Sequence, residues 1–175
     1  MADWAAFLRG INVGGHRRLP MADLRSLVAQ TLEAQNVRTL VASGNVLFSA
    51  SSTAAGIAEQ IEQAIEEKFG FEVPTLVLYA GDLRTLVDGC PFANEPPKTV
   101  HGFLCFDDPA PDWSRVSALR RDSETLTQVG RTLWLHAPEG IGRSRLAAQL
   151  DPGVPVTARN LNTLSKMVDL LADHA

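Results

Sequence analysis

Cysteine is nearly absent from this 175-residue chain, which carries only Cys90 and Cys105. The two do not stand at a metal-ligand spacing, so neither a zinc-type site nor a disulfide framework organises the fold. The N-terminus lacks the charged and apolar regions of a secretory signal, and reduced thiols in a cytoplasmic protein are the resulting expectation. No apolar run approaches the roughly 20 residues that span a bilayer, so no membrane partner is expected. Positive charge is short as well: 16 Lys and Arg face 20 Asp and Glu, for a formal charge of -4. Binding that depends on neutralising many phosphates along a nucleic acid is therefore not expected, although a local basic site is compatible with this balance. Finally, the chain has no Gly-x-Ser-x-Gly elbow, His-Glu-x-x-His run or Cys-His nucleophile pattern. No catalytic residue is legible, and nothing in the sequence requires a metal or cofactor.

What is present is an ordinary globular composition, 45% hydrophobic and 21% charged, long enough for one ample domain or two small ones. Residues 4–8 read as a short apolar strand. Residues 21–32 read as an amphipathic helix striped by Leu24, Leu27, Val28 and Leu32, with Pro20 suited to its first turn. Residues 37–42 and 46–49 read as strands around the turn Ser43-Gly44-Asn45, where Gly44 takes positive φ without steric cost. Ile57, Ile61, Ala64, Ile65 and Phe69 mark the buried face of a second helix, and Gly70 ends it. With a strand at 73–79 the first half runs β-α-β-β-α-β, the ferredoxin-like order.

A short helix at 82–87 leads into residues 88–97, which are rich in turn formers and read as a connection between subdomains. Beyond it the order recurs, with a strand at 99–106, a helix at 113–119, strands at 125–129 and 132–136, a helix at 143–150 and a strand at 154–157. Leu161, Leu164, Met167, Val168 and Leu171 stripe a last helix that Asn160 can cap. The predicted fold is α+β: two ferredoxin-like (βαββαβ) subdomains in tandem with an extra C-terminal helix. Its boundaries are 1–88, a connection at 89–98, and 99–175.

The run from Arg9 to Gly15 is the first candidate site. Successive backbone N–H groups in a glycine-rich turn leading to a helix N-terminus hold anions well, because those donors lack partners and the helix dipole favours negative charge. Gly10 and Gly15 have the spacing of a Walker A loop, but His16-Arg17 replaces the required Lys-Ser/Thr, and a dinucleotide fingerprint fails on glycine spacing. In a ferredoxin-like sheet the first and third strands are antiparallel neighbours. That arrangement brings Arg9, Asn12, Gly14 and Gly15 towards Ser43 and Asn45, a set of donors suited to an oxyanion. The competing reading is that the glycines and the hairpin residues serve only their turns. Arg159 is a further candidate, since a cation near a helix start usually needs an anionic partner, which an acidic side chain could equally supply. His101 and His136 fall on adjacent predicted strands, but two histidines without a third ligand are a weak metal signal.

The motifs Arg9-Gly10-Ile11-Asn12-Val13-Gly14-Gly15, Met21, Ser43-Gly44-Asn45-Val46-Leu47-Phe48 and Arg159-Asn160 resemble those of the DUF1697 family of bacterial proteins. The resemblance spans nearly the whole chain and implies an α+β fold with no established reaction. One departure is Leu161, where the family commonly has tryptophan; a site using that aromatic would lack its stacking surface here.

Three functional readings compete. The first is a small-molecule oxyanion site for a phosphate ester or nucleotide, formed by Arg9, Asn12, Gly14, Gly15, Ser43 and Asn45 with help from Arg159. Acylphosphatase, which uses a first-strand-to-helix loop for phosphate, is a fold-level analogy. The second is a non-catalytic interaction or scaffolding domain. The third is an RNA-binding sheet using Trp4, Phe7 and Phe48, ranked last because the third strand lacks a basic-aromatic pattern.

Overall fold

Isoleucines at every fourth position draw residues 54–69 into a helix, and the chain marks both of its ends chemically. The Thr53 hydroxyl accepts a hydrogen bond from the Gly56 N–H at 3.2 Å, and Gly70 closes the helix in the left-handed region at φ 79°. In the computed structural model, which describes residues 1–173, the first four strands and two long helices follow the predicted order. They are β1 (Ala2–Leu8), α1 (Met21–Thr31), β2 (Gln35–Leu40), β3 (Asn45–Ala50), α2 (Ala54–Phe69) and β4 (Thr75–Tyr79). A helix α3 (Ala80–Asp88) follows, and the order then repeats. The repeat comprises β5 (Val100–Cys105), α4 (Trp113–Leu119), β6 (Thr125–Val129), β7 (Thr132–His136), α5 (Arg145–Gln149) and β8 (Val156–Asn160), followed by α6 (Leu161–Ala172).

Two four-stranded antiparallel sheets result, ordered β2-β3-β1-β4 and β6-β7-β5-β8. Each has its first and third strands paired at the centre, which is the ferredoxin-like arrangement in tandem. The chain divides into two compact units, Met1–Arg84 joined by residues 167–173, and Thr85–Lys166. In the first, Ala6 and Leu8 of β1, Val46 and Phe48 of β3 and Val77 of β4 pack with Leu24, Leu27 and Val28 of α1 and Ile57, Ile61 and Ile65 of α2. In the second, Phe103, Cys105, Leu133 and Leu135 pack with Val116 of α4 and Leu146 of α5. Gly102 gives the Trp134 ring room. A Cβ there would stand 3.1 Å from the indole and 3.3 Å from Leu164.

Several boundaries differ from the periodicity. β2 begins at Gln35 and stops at Leu40, because Asn36 (φ 55°) forms a bulge and Val41 (φ 54°) leaves the strand conformation. The connection from β2 to β3 is accordingly residues 41–44. The expected helix at 143–150 is a 3-10 turn at Ile141–Arg143 followed by α5, because the Ser144 hydroxyl accepts from the Ala147 N–H at 3.0 Å and restarts the helix. β8 extends to Asn160, which places Arg159 within a strand beside Gly102. Asn160 then caps α6, its Oδ1 accepting from the Thr163 N–H at 2.9 Å.

Candidate functional site

β1 runs antiparallel to both β3 and β4, with Phe7 opposite Asn45 and Leu8 opposite Thr75. The end of β1, the β2–β3 connection and the approach to β4 therefore meet at one end of the first sheet. The Leu8 N–H donates to Gly44 O at 2.8 Å, and the Arg9 N–H to Pro74 O at 3.0 Å. Gly44 has to be glycine. Its φ is 88°, and a Cβ would stand 2.8 Å from both Leu8 Cβ and Ile11 Cδ1.

From Arg9 the chain turns through Gly10 (φ 74°) and Asn12 (φ 54°), so the left-handed conformations begin as soon as the strand ends. Asn12 organises the loop from here to α1. Its Nδ2 donates to Leu19 O at 3.0 Å and to Ala42 O at 2.8 Å, while its Oδ1 accepts from the Leu19 N–H at 2.8 Å. Its backbone N–H donates to Arg17 O, and the His16 N–H donates to Val13 O, closing residues 12–17 into a small turn with Gly14 and Gly15 exposed at its tip. Asn45 does comparable work beneath the hairpin: fully buried, it donates to Leu40 O at 2.8 Å and to Ser43 Oγ at 3.2 Å. Asn12 thus ties the loop to the hairpin, and Asn45 shapes the hairpin itself.

Two arginines at this end line one surface cavity of about 370 Å³, together with Gly10, Glu72 and Pro74. They are Arg9 and Arg17, and Arg17 is held there by an Nη1 bond of 2.8 Å to Glu72 O. Arg17 and Glu72 were not among the residues expected from the sequence. Their signal was topological: β4 borders β1, so the residues just before β4 must neighbour those just after β1.

Arg159 lies in the second unit, whereas the loop and hairpin lie in the first. Its guanidinium is buried and donates to Thr157 Oγ1 at 2.7 Å and Ala158 O at 2.9 Å. Burial lowers its pKa to about 10, which leaves it charged at neutral pH. His101 and His136 stand on adjacent strands, opposite Leu135 and Val100 respectively. His136 Nε2 faces Glu95 at 3.6 Å, while His101 has a buried Nδ1 without a partner among the described residues and is held below its ordinary pKa by burial. Both cysteines are free and buried; burial pushes Cys105 up to about 11, so its nucleophilic thiolate is disfavoured. Among the described residues no group of three or more His, Cys, Asp or Glu could hold a metal ion, and no helix is long and apolar enough to cross a membrane. Phe7 and Phe48 are buried, so neither presents a stacking face to a base.

Fold and site together define a tandem ferredoxin-like α+β protein whose glycine-rich loop interlocks with a hairpin at one sheet end. The chain belongs to the DUF1697 family, described as proteins of unknown function, whose model matches residues 1–134. Among solved structures it is similar to the conserved bacterial protein SP0830 from Streptococcus pneumoniae. The identity is 23% and the TM-score 0.72, over 97% of this chain and 98% of that one. No curated protein matches the chain.

Proposed function

We propose that the first unit binds a small oxyanion, the phosphate of an ester or nucleotide, in the cavity between Arg9 and Arg17. The observation that carries this reading is that Arg9 and Arg17 line the same cavity, with Gly10 between them in sequence and no side chain there to fill the space. Guanidinium donors grip phosphate or carboxylate oxygens in charge-assisted pairs, and two of them outweigh the single Glu72 carboxylate beside them. Gly14 and Gly15 supply exposed backbone in the same loop. Asn12, Ser43 and Asn45 act through the loops they hold, and Arg159 is assigned to the second unit's own strand. The reading needs neither metal nor cofactor, and we propose a cytoplasmic location on the two unpaired thiols, which stay reduced there. Nucleic acid is not the proposed ligand, since the chain is acidic as a whole.

Calorimetric titration with inorganic phosphate, a sugar phosphate and ADP tests the proposal. Arg9→Ala and Arg17→Ala should each weaken binding by about tenfold or more, the loss of a charge-assisted hydrogen bond. Glu72→Gln should strengthen it by removing the opposing charge. Unchanged affinity in a folded Arg9→Ala variant removes Arg9 from the site, and no binding across the panel returns the loop to the alternative reading, an interaction module. One observation favours that alternative. Val13 in the loop and Val41 in the β2–β3 connection are 66% and 55% exposed, apolar side chains open to a protein partner.

A further inference from the structure

The second unit contains a cavity of its own, about 280 Å³, between α4 and α5. Its apolar wall is formed by Val116, Leu119, Leu146 and Leu150. Val116 and Leu146 belong to the core of that unit, and Leu119 and Leu150 pack against it, so the wall is fixed by the fold. The rim is charged with both signs, because Arg115 lines the same space as Asp112 and Asp151.

The rim is held in place by the backbone. Asp112 Oδ1 accepts from the Ser114 and Arg115 N–H groups at 3.0 and 3.2 Å, and Asp151 Oδ1 accepts from the Gly153 N–H at 2.8 Å. The Ala110 N–H donates to Pro152 O at 2.9 Å, tying the two rim segments to each other. Each carboxylate keeps its second oxygen outside these bonds. Among the described residues Arg115 forms an ion pair with neither carboxylate. Opposite charges that share a cavity without meeting leave a gap that a ligand carrying both charges can bridge, and the apolar wall then faces the ligand's body.

The geometry points to a binding site for a small zwitterion, of the class of a free α-amino acid with an apolar side chain. Its carboxylate pairs with the Arg115 guanidinium, its ammonium with Asp151 and Asp112, and its side chain lies on Leu119 and Leu150. The volume sits just under the range usual for drug-sized ligands, which suits a molecule of this size. The site is confined to the second unit and is independent of the proposed oxyanion site.

The test is calorimetric titration of the full chain with L-leucine as probe, beside N-acetyl-L-leucine and L-leucinamide, each of which lacks one of the two charges. L-leucine should bind saturably and both blocked forms about tenfold or more weaker. Arg115→Gln should abolish the preference for L-leucine over the amide. Asp151→Asn, which keeps the oxygen that accepts from Gly153, should reduce the preference over the N-acetyl form. Backbone amide shifts on adding L-leucine should fall at residues 112–119 and 146–153. Absence of saturable binding overturns the proposal, as do equal affinities for the three probes or unaltered preferences in the two folded variants.

Discussion

At Asn12 one side chain joins residues far apart in sequence, because its amide reaches both Leu19 and Ala42 while its oxygen accepts from Leu19. Asn12→Ala should therefore lower stability by about 1 to 3 kcal/mol, since it orphans polar backbone groups, and urea denaturation would measure it. At Gly44 both backbone and space are demanding. Gly44→Ala forces a Cβ into Leu8 and Ile11 at a positive φ, and should cost about 2 to 4 kcal/mol in the same assay. His101 gives a prediction in pH. Its folded pKa lies below the ordinary 6.5, so the unfolded chain binds the proton more readily. Stability is therefore intact above the ordinary value and declines as pH falls through 6.5 towards the lowered folded pKa. Thermal unfolding followed from about pH 7 to 5 should show a shallower decline for His101→Leu than for the parent chain.

Element ends were the most legible feature where a single residue supplies the stop or start. Gly70 closes α2, Asn160 caps α6, and α4, β6 and β7 fall on the residues their patterns predict. Misplaced ends have local causes that periodicity does not register: the bulge at Asn36, the left-handed Val41 and the cap at Ser144. Each is a backbone conformation or a hydrogen bond, and the hydrophobic pattern on either side is unaffected by it. Ser144→Ala should remove about 1 kcal/mol by leaving the first turn of α5 without its acceptor. Amide hydrogen exchange at Ala147 would report the loss. A counterpart experiment at Thr53, the cap of α2, should give a loss of similar size.

On the scale of the whole molecule, the recurrence of strand and helix signals was enough to derive two ferredoxin-like sheets, because element order and right-handed connectivity leave few alternatives. The pairing within the first of those sheets by itself brings the Gly10–Gly15 run to the Ser43-Gly44-Asn45 turn. The hydrophobic period and the turn residues marked the elements and their order, and the β-α-β-β-α-β order in turn led to the non-local pairing of β1 with β3. What each polar side chain does there followed from the folded chain alone. Asn12 finds its acceptor 30 residues away at Ala42, Arg17 finds Glu72 at a separation of 55, and residues 167–173 join the first unit. Such partners are set by how the chain returns in space, and a polar residue's local pattern is the same whether it binds a ligand or its own backbone.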